Sequence, residues 1–127
     1  MKITENFNRQ EFDSKDGMPY PEEWIESRLK PLCQVLEIIR EASGGPLHIT
    51  SGYRSPSHNK KVGGAVKSKH VEGIAVDIVS RKISPMKLNN LIEKLIEDGK
   101  IPEGGLGMYA SWCHYDMRGS KARWVNG

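Results

Sequence analysis

The segment Ser68-Lys69-His70-Val71-Glu72-Gly73-Ile74-Ala75-Val76-Asp77 puts an imidazole seven residues ahead of a carboxylate, with a glycine between them. Asp77 falls inside an apolar run, Gly73 to Val79, where an ionised carboxylate is costly unless a partner or a cation compensates it. A turn at Gly73 would let His70 and Asp77 meet at one point. Nitrogen and oxygen donors around an open position form the pattern of catalytic zinc. The plainer alternative is a hydrogen-bonded histidine–aspartate pair tying a loop to a strand. These two residues alone leave both readings open.

A third donor has to come from elsewhere. The chain has four histidines, at positions 48, 58, 70 and 114. His114 lies in Trp112-Cys113-His114-Tyr115-Asp116-Met117-Arg118. In a strand, His114, Asp116 and Arg118 would share one face and Cys113 and Tyr115 the other. That face is either a site or a solvated surface with an Asp116–Arg118 ion pair. The same alternation turns the Cys113 thiol away from His114. His48 reads as a packed strand residue, and His58 as a surface residue or a wall of a groove. Tyr109, Trp112 and Trp124 read as packing residues, one of which could wall a cleft.

The elements that would carry these groups are legible in outline. Residues 1–21 are polar and rich in turn signals, which suggests an ordered arm with little regular structure. From Glu22, Ile25, Leu29, Leu32, Leu36 and Ile39 recur at steps of four and three, one apolar stripe on a helix ending near Ala42. Pro31 should kink or split that run. Leu47 to Ser51 alternates as a strand does. Gly52 to Gly73 lacks periodicity, and a loop of that length in a compact domain is usually functional. Gly73 to Val79 reads as a buried strand. Ser84-Pro85 opens a second helix, with Leu88, Leu91, Ile92, Leu95 and Ile96 on its apolar face and Gly99 as its stop. The remainder reads as turns and one or two strands. The order of elements implies an α+β fold.

The 127 residues fit one domain, 1–127, with the arm packed on it. A hydrophobic share of 37% and a charged share of 28% describe a folded chain, neither disordered nor membrane-spanning. No stretch approaches the ~20 apolar residues of a membrane helix. The net charge of +3 is spread along the chain with no basic stripe interleaved with aromatics, so nucleic acid is not expected as a partner. Two cysteines cannot build a disulfide framework. The N-terminus lacks the apolar core of a secretory signal, so synthesis in a reducing cytoplasm is expected.

Several stretches, in order, resemble the M15 family of zinc D,D- and L,D-peptidases, which includes D-alanyl-D-alanine carboxypeptidases and phage endolysins. They are Ser51-Gly52-Tyr53-Arg54-Ser55-Pro56 with Asn59, then Val62-Gly63-Gly64-Ala65, and Ser-x-His-x-x-Gly-x-Ala-x-Asp at 68–77. Gly104-Gly105-Leu106-Gly107-Met108-Tyr109, His114-Tyr115-Asp116-Met117-Arg118-Gly119 and Arg123-Trp124 follow. Phe7 and Glu11-Phe12 in the arm also fit. The likeness covers nearly the whole chain and is closest to the compact members of the family. It implies a small antiparallel sheet with flanking helices, as in hedgehog and D-Ala-D-Ala peptidases. It also implies zinc held by His70, Asp77 and His114, and Arg54 turned into the site to hold a substrate oxygen.

Ser68 would hydrogen-bond near metal or substrate, or simply cap a turn. Many members carry a Glu or Asp as general base three residues before the last histidine. Here Ser111 stands there, and Asp116 is the substitute; its alternatives are a ligand or a partner that orients His70 or His114.

The expected activity is zinc-dependent hydrolysis of peptide bonds involving D-amino acids in peptidoglycan, as a carboxypeptidase or an endopeptidase, by a monomer acting on the cell wall. Asp116 would take the proton from water and Arg54 would steady the oxyanion. The alternatives are a zinc-containing cell-wall-binding module without catalysis and a structural component of a phage particle.

Overall fold

A computed structural model describes residues 1–126. Its main sheet has five strands: β3 (Leu47–Ser51), β4 (Ala75–Ser80), β5 (Gly105–Tyr109), β6 (Cys113–Asp116) and β7 (Ala122–Asn126). They lie side by side in the order β3-β4-β6-β5-β7. All neighbours are antiparallel except β5 and β7, so the sheet is mixed where an antiparallel one was expected.

Alternation along the central strands sorts the side chains onto two faces. Val76 and Ile78 of β4, Leu106 of β5, and Cys113 and Tyr115 of β6 are buried in the hydrophobic core. Helices α1 (Lys30–Ser43) and α3 (Pro85–Glu97) cover that face with Leu32, Leu36 and Ile39 from the first and Leu88, Ile92 and Leu95 from the second. Each such side chain contributes about 1.5–3 kcal/mol when fully buried. Asp77, His114 and Asp116 occupy the opposite face.

Pro31 acts as expected. A 3-10 turn (Glu22–Trp24) and a π-helical turn (Ile25–Leu29) precede α1, which begins at Lys30 with the proline in its first turn and ends at Gly44 in the left-handed conformation. In α3 the Ser84 hydroxyl accepts a hydrogen bond from Lys87 N at 3.3 Å, capping the helix where the sequence placed its start.

Three further expectations need correction. The segment after Gly99 carries three strands, β5 to β7, rather than one or two. The stretch from Gly52 to Gly73 is not wholly irregular: Pro56–Lys61 forms the short helix α2, capped by Ser55. The arm also has more regular structure than its composition suggests. Lys2–Thr4 (β1) pairs with Phe7–Asn8 (β2), and a 3-10 turn follows at Arg9–Phe12. Phe7 and Phe12, in edge-to-face contact at 6.3 Å, are buried in the core. The arm is therefore part of the core rather than a strap over it. Among the described residues no helix is long and apolar enough to cross a membrane.

Candidate metal centre

Strands β4 and β6 pair so that Asp77 lies directly opposite His114. Direct cross-strand partners on one face stand about 4.5–5.5 Å apart at Cβ, so both side chains rise from the sheet together. His70 arrives from the loop. Its carbonyl accepts from Arg54 N and from Gly73 N, both at 3.1 Å, and Gly73 completes the turn at φ +73°. The Tyr20 hydroxyl ties down the same turn, donating to Gly73 O at 2.6 Å.

The three side chains converge. One donor atom from each of His70, Asp77 and His114 lies within 4.8 Å of the other two, and all three residues are buried. His70 Nε2 is 3.3 Å and His114 Nδ1 3.2 Å from Asp77 Oδ1. The other nitrogen of each ring is already engaged. His70 Nδ1 donates to the Gly52 carbonyl at 2.7 Å, and His114 Nε2 donates to Asp116 Oδ2 at 2.7 Å. Those outer bonds turn the inner nitrogens toward Asp77, where each can share a proton with the carboxylate or, once that proton is displaced, offer its lone pair to a cation. Two oriented imidazoles and one carboxylate, each braced from behind, suit a divalent cation.

The electrostatics agree. Burial raises the Asp77 carboxyl, but hydrogen bonds from His114 and His70 outweigh it and bring the pKa down to about 2. For His114, burial disfavours the charged ring, yet Asp116 and Asp77 together raise its pKa above the usual histidine value.

Asp116 is enclosed by hydrogen-bond donors. It is fully buried, at 0% exposure. Oδ1 accepts from Gly105 N and Arg118 N, each at 3.1 Å, and from Arg118 Nε at 2.9 Å; Oδ2 accepts from Arg118 Nη2 and from His114. Burial raises its pKa, but Arg118 and His114 override that and hold it far below the ordinary carboxylate range. A carboxylate so saturated, on the side of His114 away from Asp77, braces the ring and has no lone pair to offer to water. Of the roles left open by the sequence, these contacts fit the orienting one.

A cleft of about 630 Å³ opens over the three donors, lined by Arg54, Ser68, Tyr109, Trp112 and Trp124 among others. Arg54 Nη2 is 3.7 Å from Asp77 Oδ2, and Nη1 donates to Asn59 Oδ1 at 3.3 Å. Ser68 accepts from His70 N at 3.2 Å, the turn-capping role, while also lining the cleft. Ser111 is exposed. His48 and His58 stay outside the cluster, and Cys113 donates to Pro85 O at 3.0 Å on the core side.

Reasoning from the sequence missed two contributors. The Gly52 carbonyl that orients His70 is backbone and has no side-chain signature. Asn59 is 4% exposed and links Arg54 to the Ala65 carbonyl, to which it donates at 2.8 Å. Its place in the Ser51–Asn59 motif was the only available signal. Trp124 was read as packing, and its ring centroid lies 5.0 Å from that of His114.

A mixed sheet with helices on one face and a buried His2Asp cluster on the other defines the class as an α+β domain with a candidate metal centre. The family model described as Peptidase M15 matches residues 3–116, and the chain belongs to that family, whose members are metal-dependent peptidases. None of the curated proteins matches the chain.

Proposed function

We propose that this metallopeptidase holds zinc between His70, Asp77 and His114 and cleaves peptide bonds involving D-amino acids in the stem peptides of bacterial peptidoglycan. The observation that carries the reading is the convergence of two imidazole nitrogens and a carboxylate oxygen at an open cleft. Zinc bound there supplies Lewis acidity, polarising a carbonyl and making water a competent nucleophile near neutral pH.

The chain's own residues bind and orient. Arg54 stands beside Asp77 with its guanidinium in the cleft, placed to hold a substrate carbonyl or carboxylate and to support negative charge that develops on it. Lys67, Lys69 and Arg118 line the same cleft, where Asp77 is the only carboxylate among the lining residues. Asp116 neutralises Arg118 and Glu72 neutralises Lys69, which leaves Lys67 and Arg54 as the cations to meet a carboxylate of a peptide. Asp116 and the Gly52 carbonyl keep the two imidazoles in one tautomer and one orientation. In this reading the enzyme acts on the cell wall.

The test is hydrolysis of purified peptidoglycan by protein loaded with zinc, with released fragments read by mass spectrometry. Wild type should release peptide fragments and His70→Ala should not. Equal release by both would refute the assignment.

One observation favours a second reading. Ser111 replaces the usual base, and Asp116 is saturated, so a zinc-containing module that binds cell-wall peptide without cutting it is the competing function. It predicts retention of the protein on peptidoglycan with no fragments released.

A further inference from the structure

Tyr109 ends β5 on the same face as Gly105 and Gly107, the face that carries His114 and Asp77. Its ring stacks on Trp112, with centroids 4.6 Å apart and planes 11° from parallel. Its oxygen accepts a hydrogen bond from Trp124 Nε1 at 3.0 Å. That bond uses a lone pair and leaves the phenolic proton, for which no acceptor is found among the described residues. The residue is only partly buried and lines the cleft together with the three donors.

The hydroxyl is also held in place. The Trp124 indole lies over Gly107, where a Cβ would collide with its ring atoms, and it leans on the His114 ring. The Arg118 guanidinium lies 5.5 Å from its centroid. Trp112 stacks on the tyrosine ring itself. A phenol that accepts from an indole is polarised and becomes a better donor of its own proton. Stacked on one tryptophan and hydrogen-bonded by another, it lines the cleft with little ordering left to lose when a ligand binds.

We infer that Tyr109 is a substrate-contacting residue whose hydroxyl donates a hydrogen bond to a backbone oxygen of the peptide in the cleft. It adds a neutral donor to the cationic one supplied by Arg54. The inference deepens the peptidase reading above and rests on it for the nature of the ligand. No proton is transferred: the phenol keeps its hydrogen, and only the hydrogen bond forms.

The test compares wild type and Tyr109→Phe, both loaded with zinc, with metal content and melting temperature measured for each. Binding of a phosphinate pseudodipeptide built on D-alanine is followed by calorimetry, and kcat and KM by cleavage of a stem peptide. The variant should keep its metal and its melting temperature, bind the phosphinate about tenfold more weakly, and lose about tenfold in kcat/KM. Trp124→Phe, which keeps an aromatic ring but removes the indole donor, should weaken phosphinate binding in the same direction by a smaller factor.

Equal phosphinate affinity in wild type and Tyr109→Phe overturns the inference while leaving the peptidase reading intact. A wild type that binds the phosphinate but cleaves nothing sinks the peptidase reading, and weaker binding by Tyr109→Phe then still upholds the inference. Should wild type cleave the stem peptide without binding the phosphinate, an unchanged kcat/KM in Tyr109→Phe overturns the inference.

Discussion

His114 donates from Nε2 to Asp116 Oδ2 across 2.7 Å, and that bond determines which nitrogen of the ring can meet a cation. With Nε2 so engaged, Nδ1 is the nitrogen left facing Asp77, bonded to Oδ1 at 3.2 Å until a cation displaces its proton. Asp116 is itself gripped by Arg118 through three hydrogen bonds, two to Oδ1 and one to Oδ2. The chain Arg118–Asp116–His114 is thus a rigid brace that ends at the site.

Asp116→Asn separates this bracing role from that of a base. The amide cannot satisfy Arg118 and His114 with the same charge, so the ring is held less firmly. Zinc affinity, measured by competition with a chromophoric chelator, should fall by about 10–100-fold. If Asp116 instead takes the proton from water, zinc affinity will stay at the wild-type value and kcat alone will collapse.

The stabilising effect of zinc should depend on pH. Asp77, at about 2 in the folded protein, contributes stability above roughly pH 4, and that contribution is lost as pH falls through the folded value. His114 is raised, so its contribution is present below about pH 6.5 and is lost as pH rises through the folded value. The metal-free protein therefore has both contributions in full only between about pH 4 and 6.5. Zinc must displace any proton on the inner nitrogen of His114, so the rise in melting temperature on adding zinc should grow from pH 5.5 to pH 8. A rise independent of pH across that range would show that no proton competes with the ion.

Gly107→Ala should be more harmful than a surface strand substitution. The added methyl would occupy space now filled by the Trp124 indole, a bulky ring held by Tyr109 and His114 that cannot swing aside cheaply. Overpacking of this kind costs about 1–3 kcal/mol, readable as a lowered urea midpoint. The near-ultraviolet dichroism of the tryptophans should change with it. A variant with the wild-type midpoint and spectrum would mean that the indole has room to retreat.

Tyr20→Phe removes one oxygen and should still matter. The Gly73 carbonyl loses its buried hydrogen bond, at a cost of about 1–3 kcal/mol. Because Gly73 closes the turn that presents His70, zinc affinity should drop with stability. Chelator competition and thermal unfolding on one sample check both.

The sequence was most informative where one physical signal dominates. The apolar stripe and the Ser84-Pro85 start located the two long helices because periodicity and capping act locally. Alternation along Trp112 to Arg118 predicted that His114 and Asp116 share a face and that Cys113 turns away, and the structure agrees. The role of Asp116 was not legible, since spacing says that a carboxylate is near a histidine but not that an arginine two residues on saturates it. Nor was the parallel pairing of β7 with β5, because strand direction in a sheet is set by the path of the chain rather than by residue type. Phe12 shows the same limit. It lies in a polar, turn-rich arm, yet its Cα packs where a Gly52 side chain would sit, and its carbonyl accepts from Tyr53 N at 2.9 Å.

The pairing of Asp77 with His114 has a consequence for how the chain finds its shape. Slipping β6 by a single residue would send the imidazole under the helices and bring a thiol or a phenol up in its place. An ion bound between these side chains would reward just one of those alignments, and would so select among competing strand pairings.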